Sequence, residues 1–277
     1  MNLTVNKKFV RVALSGILSP VLWLALLTLT NCTLYDLRPE ALRQSVEISD
    51  DQRGDQIMEK AAIAHGWDQL GDIKVEAIYR DHWPSDLMRW LFHPWPSHAQ
   101  LIKHTFTNYD LYSGEVEFLD GKDSGELWGL ENGQPFLHKN KKKEFRKHKS
   151  TSFYLPTYQY FMQIGYWIKN IPIRKFLKEE QINGRTYLVL LATWNKLSPQ
   201  KDYDQYIFYI NKESYLIEMV EYTIRAQFPS AHGTNTFSDF KKTGDLMIPY
   251  KQTITVNPED QKIVHQLVLE KFSYWPI

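Results

Sequence analysis

The sequence is nearly free of cysteine, because Cys32 is the only one in 277 residues. A single cysteine excludes an internal disulfide, even in an oxidising compartment. An excess of charge of either sign is also absent, since 33 Lys and Arg stand against 32 Asp and Glu. A chain balanced in this way has no overall field that would attract nucleic acid.

Catalytic motifs are missing as well. The sequence contains no G-x-S-x-G nucleophile elbow, no H-E-x-x-H, no Walker phosphate loop and no G-x-G-x-x-G. His82, His93 and His98 form a histidine cluster, but their spacing matches no zinc motif. We therefore predict no catalytic residue, no metal and no cofactor. A hydrolase is a minor alternative, which an Asp–His or Glu–His pair inside a cleft would favour.

Only one hydrophobic run is long enough to concern a membrane. It covers Val12–Leu29 and follows the basic start formed by Lys7, Lys8 and Arg11. This order of a basic start, an apolar middle and a polar continuation is that of a secretory signal. The run of about 18 residues is near the lower limit for a membrane-spanning helix. An uncleaved anchor is therefore the alternative.

The run ends in Leu29-Thr30-Asn31-Cys32, which resembles a bacterial lipobox. The resemblance implies lipidation of Cys32, cleavage before it and acylation of the new N-terminus, for example with palmitate. A buried or incidental thiol at the end of an ordinary anchor is the alternative. We predict a lipoprotein signal peptide over 1–31, a tether over 32–49 and one domain over 50–277. Thr33 is not the aspartate that retains many lipoproteins at the inner membrane, so outer-membrane attachment is favoured.

The domain begins with a helix and continues mainly as strands. Asp50 or Asp51 can cap the helix, Ile57 and Ala61 lie on one apolar stripe, and Gly66 supplies the stop. Eleven strand patterns follow, separated by glycine turns and by few helices, which predicts an antiparallel meander. In two late strands, alternation predicts which side chains share a face. In YDQYIFYIN they are Tyr206, Phe208 and Ile210. In YLIEMVEYTIR they are Leu216, Val220, Tyr222 and Ile224, with Glu218 as an exception on that face.

Two segments interrupt the strand patterns. The first, SDLMRWLFHPWP, predicts a short helix capped by Ser85, with Leu87, Trp90 and Leu91 on one side. The second, TSFYLPTYQYFMQIGYWIKNIPI, is strongly aromatic and predicts a helix or loop pressed against apolar surface. The basic run KNKKKEFRKHK lies before it; a solvated loop and attraction to anionic lipid are both open.

Three stretches carry a resemblance to the LolA/LolB-like lipoprotein-carrier fold. They are DQIMEKAAIAHGWDQLGDIKVEAIYR, DYDQYIFYINKESYLIEMVEYTIR and FSDFKKTGDLMIPYKQTI. The resemblance implies an α+β, mostly β domain: a strongly curved antiparallel sheet, or half-open barrel, with a helical lid over an apolar cavity. Soluble carriers of this kind lack a lipid anchor, so the resemblance with Cys32 favours a tethered, non-catalytic envelope lipoprotein.

We predict two partners. One is an acyl chain or another hydrophobic ligand, and the other is the membrane, to which lipidated Cys32 would attach the protein. No nucleic acid is expected. The predicted cavity and lid residues are Met88, Leu91, Tyr158, Phe161, Met162, Trp167, Trp194, Phe208 and Tyr222. A structural or assembly lipoprotein with a filled interior is the alternative, because such aromatic side chains also fill cores. An envelope hydrolase is the less favoured third hypothesis.

Overall fold

A computed structural model describes residues 34–43, 51–92, 94–139, 142–147, 149–260 and 262–277. Cys32 and the predicted signal peptide lie outside them. The strands are β1 Ile73–His82, β2 Ala99–Thr107, β3 Gly114–Phe118, β4 Leu127–Glu131, β5 Gln134–Lys139, β6 Lys142–Phe145, β7 Ile173–Ile182, β8 Arg185–Thr193, β9 Tyr206–Asn211, β10 Ile217–Ile224, β11 Phe228–Thr243, β12 Leu246–Thr255 and β13 His265–Pro276. The helices are α1 Glu40–Arg43, α2 Gln52–His65, α3 Asp86–Phe92, α4 Lys149–Met162 and α5 Ile164–Trp167.

All thirteen strands join one sheet in the order β6-β5-β4-β3-β2-β1-β13-β12-β11-β10-β9-β8-β7. Every pairing is antiparallel, and β1 is paired with β2 on one side and with the last strand on the other. The edges β6 and β7 are not joined to each other, so the curved sheet stays open. This confirms the predicted α+β, mostly β fold. The sequence patterns do not predict β6 and β7. Strand β6 lies within the basic run KNKKKEFRKHK, so that run is not a loop throughout.

Helix α2 begins and ends where the sequence predicts. The Asp51 carboxylate accepts hydrogen bonds from the backbone N–H groups of Arg53 and Gly54 at 3.1 and 3.3 Å. Gly66 ends the helix in the left-handed region, with φ 79°. The carbonyl of Asp245 would lie 2.0 Å from a Cβ at Gly66, so no larger residue fits without a shift.

Both faces of β8 and β9 are buried, against different layers. On the helix side, Phe208 and Ile210 join a core cluster with Ile57 of α2. On the opposite side, Ile207 and Tyr209 belong to another cluster, which Leu37 and Leu42 cover. The residues 34–43, part of the predicted tether, therefore pack on the outer face of the sheet.

A β-bulge corrects the predicted facing of β10. The register with β9 shifts between Ile217 and Met219. As a result Ile217, and not Leu216, joins the helix-side cluster with Val220. The bulge turns Glu218 away from that cluster, and its carboxylate accepts a hydrogen bond from the hydroxyl of Tyr187 at 2.7 Å.

The helices of the described ranges do not include one that is both long and apolar enough to cross a membrane. The strongly apolar segment 12–29 lies outside those ranges.

Candidate apolar cavity

A cavity of about 160 Å³ lies between helices α3 and α4 and the strands β10 to β13. Its volume is of the same order as the roughly 150 Å³ apolar cavity that holds one benzene molecule. The helices contribute Met88, Phe153, Tyr154, Tyr158 and Phe161 to the wall. The described residues that line it include no Asp, Glu, Lys or Arg. The cavity is therefore suited to an uncharged, mainly apolar group.

Four of the predicted lid and cavity residues meet at this cavity: Met88, Tyr158, Phe161 and Tyr222. Both segments predicted as a lid thus supply its roof. In α3, the hydroxyl of the predicted cap Ser85 accepts a hydrogen bond from the backbone N–H of Met88 at 3.3 Å. That these four residues bind a ligand stays a prediction.

The other predicted residues lie elsewhere. Phe208 and Met162 are buried in the core, with 0% and 2% of their surface exposed, and do not line the cavity. Trp194 packs at the edge of the helix-side cluster, and Trp167 packs edge-on against Tyr166. Leu91 belongs to α3, but its side chain is outside the described set. Large aromatic side chains serve core and cavity equally well, so sequence alone did not separate them.

A buried carboxylate stands directly behind the cavity wall. Asp81, near the end of β1, is 0% exposed and accepts hydrogen bonds from the hydroxyl of Tyr158 at 2.8 Å and the indole N–H of Trp83 at 3.4 Å. It also accepts from the indole N–H of Trp95 and from Nε2 of His265. Four donors compensate the loss of water around this carboxylate. The alternation of Ile73, Val75, Ala77 and Tyr79 places Asp81 on the buried face, and this signal was available in the sequence.

The Asp81–His265 pair meets the condition that would favour a hydrolase, but its surroundings do not. The imidazole stacks on the rings of Trp83, at 4.5 Å, and of Tyr158, at 5.5 Å. Burial and the neighbouring carboxylate raise the pKa of Tyr158 well above its usual value, so its hydroxyl stays protonated. The two threonine hydroxyls in the cavity wall donate to backbone carbonyls instead. Within the described cavity wall, no hydroxyl is activated as a nucleophile.

The N-terminal segment reaches the domain beside this cavity. The ring of Tyr35 stacks on His232, a cavity residue, with centroids 3.8 Å apart. The buried guanidinium of Arg225 donates hydrogen bonds to the carbonyl oxygens of Tyr35 and, at 2.5 Å, Pro229. The backbone N–H of Leu37 donates to Gln205 at 3.0 Å. The chain is therefore held at the cavity three residues after Cys32.

Apolar side chains are exposed around the same cavity. Leu87 and Trp90 of α3 have 64% and 81% of their surface exposed. Phe228 and Val256, which line the cavity, are also among the exposed large hydrophobic residues. Leu87 and Trp90, two residues of the predicted apolar side of α3, thus face outward, whereas Met88 lines the cavity.

The histidine cluster of the sequence is only partly within the described residues. The rings of His82 and His98 have centroids 5.2 Å apart, whereas His93 lies outside the described set. The parts of the chain that are described hold no group of three or more His, Cys, Asp or Glu arranged to bind a metal.

No protein-family model matches the sequence, and no curated protein matches it either. Solved structures do match. An outer membrane lipoprotein-sorting protein domain of Vibrio parahaemolyticus has a TM-score of 0.52 and 16% identity, over 80% of this chain and 92% of that one. A DUF1329 family protein of Desulfovibrio piger has a TM-score of 0.50 and 12% identity, over 80% and 92%. A LolA superfamily protein of Nitrosomonas europaea has a TM-score of 0.47 and 12% identity, over 82% and 93%.

At these identities the comparisons concern architecture alone, and the fold assignment rests on the two structures with the higher TM-scores. Their similarity to the open curved sheet with its helices confirms the fold that the sequence resemblance implied. The chain therefore has a LolA-like fold.

Proposed function

We propose that this protein is a lipid-anchored envelope lipoprotein that binds an acyl chain or another hydrophobic ligand without converting it. The observation that carries the proposal is the uncharged, aromatic cavity beneath α3 and α4. Well-packed interiors have few voids larger than a water molecule, so an apolar cavity of this size needs an explanation. Burying a chain there would contribute about 0.8 kcal/mol for each methylene.

The anchor and the cavity are on the same side of the domain in this proposal. Three residues of extended chain span at most about 11 Å, so lipidated Cys32 would lie close to Tyr35 and the cavity. The exposed Leu87 and Trp90 of α3 suit contact with a bilayer surface, where tryptophan is enriched. A ligand could then pass between the membrane and the cavity with little exposure to water. Attachment to the outer membrane, facing the periplasm, is part of the same proposal.

A long chain requires the roof to move, because 160 Å³ accommodates only a small group. Helix α4 has a weak point at Pro156, which donates no backbone N–H to the preceding turn. We expect α4 to bend there when a longer ligand enters.

Native mass spectrometry of the full-length protein, released from detergent micelles, tests the proposal. We expect a bound lipid that leaves on denaturation, beyond any mass attached covalently. Ala231 lines the cavity, so Ala231→Phe should fill it and reduce the bound fraction. Thr236 lies exposed on the same strand, so Thr236→Phe is the matched control and should leave the bound fraction unchanged.

A structural or assembly role with a filled interior is the second candidate. The small volume of the cavity and the core positions of Phe208 and Met162 favour it. A protein that carries no lipid, and takes up none from vesicles of envelope phospholipid, would support this role and contradict ligand binding.

A further inference from the structure

Two amide side chains in the cavity wall have hydrogen-bonding groups left over. Asn235 on β11 and Gln252 on β12 are 1% and 3% exposed, and both line the cavity. Nδ2 of Asn235 donates to Oε1 of Gln252 at 2.9 Å. Oδ1 of Asn235 and Nε2 of Gln252 then find no hydrogen-bond partner in the described chain. Buried polar groups in folded proteins are nearly always bonded, so this pair points to a ligand.

The pair offers one acceptor and one donor together. The oxygen and nitrogen of both amides can also be exchanged. Gln252 then donates to Asn235, and the pair again has one free acceptor and one free donor. A complementary ligand group must therefore both donate and accept. A secondary amide does so, with its N–H directed to Asn235 and its carbonyl to Gln252. An ester has no hydrogen to donate and would leave the acceptor of the pair unpaired in either orientation.

The charge around the pair excludes ionised groups. The titratable side chains in the described cavity wall are histidines and tyrosines, and His265 is already bonded to the carboxylate of Asp81. His232 is occupied at the rim, where it contacts Asn257 at 2.9 Å and stacks on Tyr35. A carboxylate or phosphate buried here would have no fixed cation to compensate it.

We propose that Asn235 and Gln252 make the cavity selective for an acyl chain joined through an amide over one joined through an ester. This inference rests on the proposed function, because it names the chemistry of the ligand of the same cavity. Amide-linked chains occur on acylated protein N-termini and in amide-linked lipids, and the pair would recognise the amide that both share.

Paired probes of equal chain length test the selectivity: N-methyloctanamide and methyl octanoate, titrated onto the full-length protein in amphipol. Trp83 lines the cavity, so the change in tryptophan emission reports occupancy. We expect the amide to bind about tenfold more tightly than the ester, the size of one net hydrogen bond to a buried group. The free concentration of each probe is measured by equilibrium dialysis, which corrects for partition into amphipol. In the variant Asn235→Leu with Gln252→Leu, the corrected ratio should fall to about one.

Equal affinities in the wild-type protein would overturn the selectivity and leave the proposed function in place. A preference that persists in a folded double variant would overturn the assignment to this pair. Binding of neither probe would contradict the proposed function, and the selectivity with it. The wild-type ratio, calculated from the free probe concentrations, decides even if the double variant does not fold. N-octanoylated dipeptide amide and N-octanoylethanolamine then distinguish an acylated peptide from an amide-linked lipid, and tighter binding of either than of methyl octanoate supports the proposal.

Discussion

The hydroxyl of Tyr158 donates a hydrogen bond to the carboxylate of Asp81 at 2.8 Å, which joins the middle of the roof helix α4 to the end of the first strand. The two residues are 77 positions apart in sequence and both are buried. The contact fixes the roof over the cavity and completes the set of donors around the carboxylate. Burial and the charge of Asp81 raise the pKa of Tyr158, so its hydroxyl stays protonated and acts as a fixed donor.

Removing that hydroxyl tests the role of the contact. We expect Tyr158→Phe to lower the free energy of unfolding by about 1.5–3 kcal/mol, the usual contribution of a hydrogen bond to a charged group. Urea unfolding followed by circular dichroism measures the change. Tyr154→Phe is the control on the same helix, because its hydroxyl makes no hydrogen bond among the described residues. Equal stabilities of the two variants would show that the other donors satisfy Asp81 alone.

A second prediction concerns acid stability and His65, the last residue of α2. Its Nε2 accepts a hydrogen bond from the N–H of Ile217 at 3.1 Å, so Nδ1 carries the proton and donates to the carbonyl of Met247 at 3.3 Å. Burial lowers the pKa of His65 from 6.5 to about 4, against the opposing effect of the bond to Met247. A proton on Nε2 would face the N–H of Ile217, which explains why the neutral form is required.

The direction of the pH effect follows from the pKa of His65 in the unfolded chain, 6.5, and in the folded protein, about 4. Below pH 6.5 the unfolded chain binds a proton at His65, whereas the folded protein does so only near pH 4. The stability from neutral His65 is therefore complete above pH 6.5 and is lost as the pH falls toward 4, by up to about 3 kcal/mol. Urea midpoints at pH 7.5 and 4.5 should fall less in His65→Gln than in the wild type. Parallel pH profiles would contradict the assignment.

A third prediction compares two glycines in the same backbone conformation. Gly66 and Gly133 have φ of 79° and 77°, but only Gly66 faces another part of the chain, the carbonyl of Asp245. Gly133→Ala should cost about 1–2 kcal/mol, the strain of the left-handed region. Gly66→Ala should cost more, because the Asp245 turn must move as well. Thermal unfolding measures both; equal losses would mean that this turn shifts freely.

The sequence was informative wherever local rules decide the structure. The caps of α2 depend on Asp51 and Gly66 alone, and an alternating pattern marks β1. Strand β7 escaped prediction because its charged edge and its bulge near Leu177 break the alternation. Strand β6 is exposed throughout and has no buried face to reveal it.

The candidate site was predictable in its elements but not in its members. The two segments predicted as a lid do form the roof of the cavity, since their aromatic content marked them. Whether an aromatic side chain lines the cavity or fills the core depends on the neighbours that the fold brings to it. Phe208, for example, is fully buried in the helix-side core cluster. Polar residues on apolar strand faces, such as Asp81, Asn235 and Gln252, were the signal that sequence reasoning passed over.

The last prediction concerns the N-terminal segment and its clamp, Arg225. Its guanidinium is buried and donates hydrogen bonds to the carbonyl oxygens of Tyr35 and Pro229. The N–H of Tyr35 in turn donates to Pro229 at 3.1 Å, and the segment lies against Gln205 through the N–H of Leu37. If these bonds hold the chain at the cavity, Arg225→Met should release it, because methionine keeps the length of the side chain and loses every donor.

Hydrogen exchange at the amides of Tyr35 and Leu37 measures the release. We expect exchange to quicken by roughly 10–100-fold in Arg225→Met, which corresponds to the loss of one strong hydrogen bond to a charged donor. Arg53→Met is the matched control, since Arg53 is exposed and packs on Phe176, away from the segment. Unchanged exchange in Arg225→Met would assign the docking to the stack of Tyr35 on His232 and to the apolar cover by Leu37. Faster exchange would mean that Arg225 stabilises the docked segment, which in the proposed function holds the cavity near the membrane anchor at Cys32.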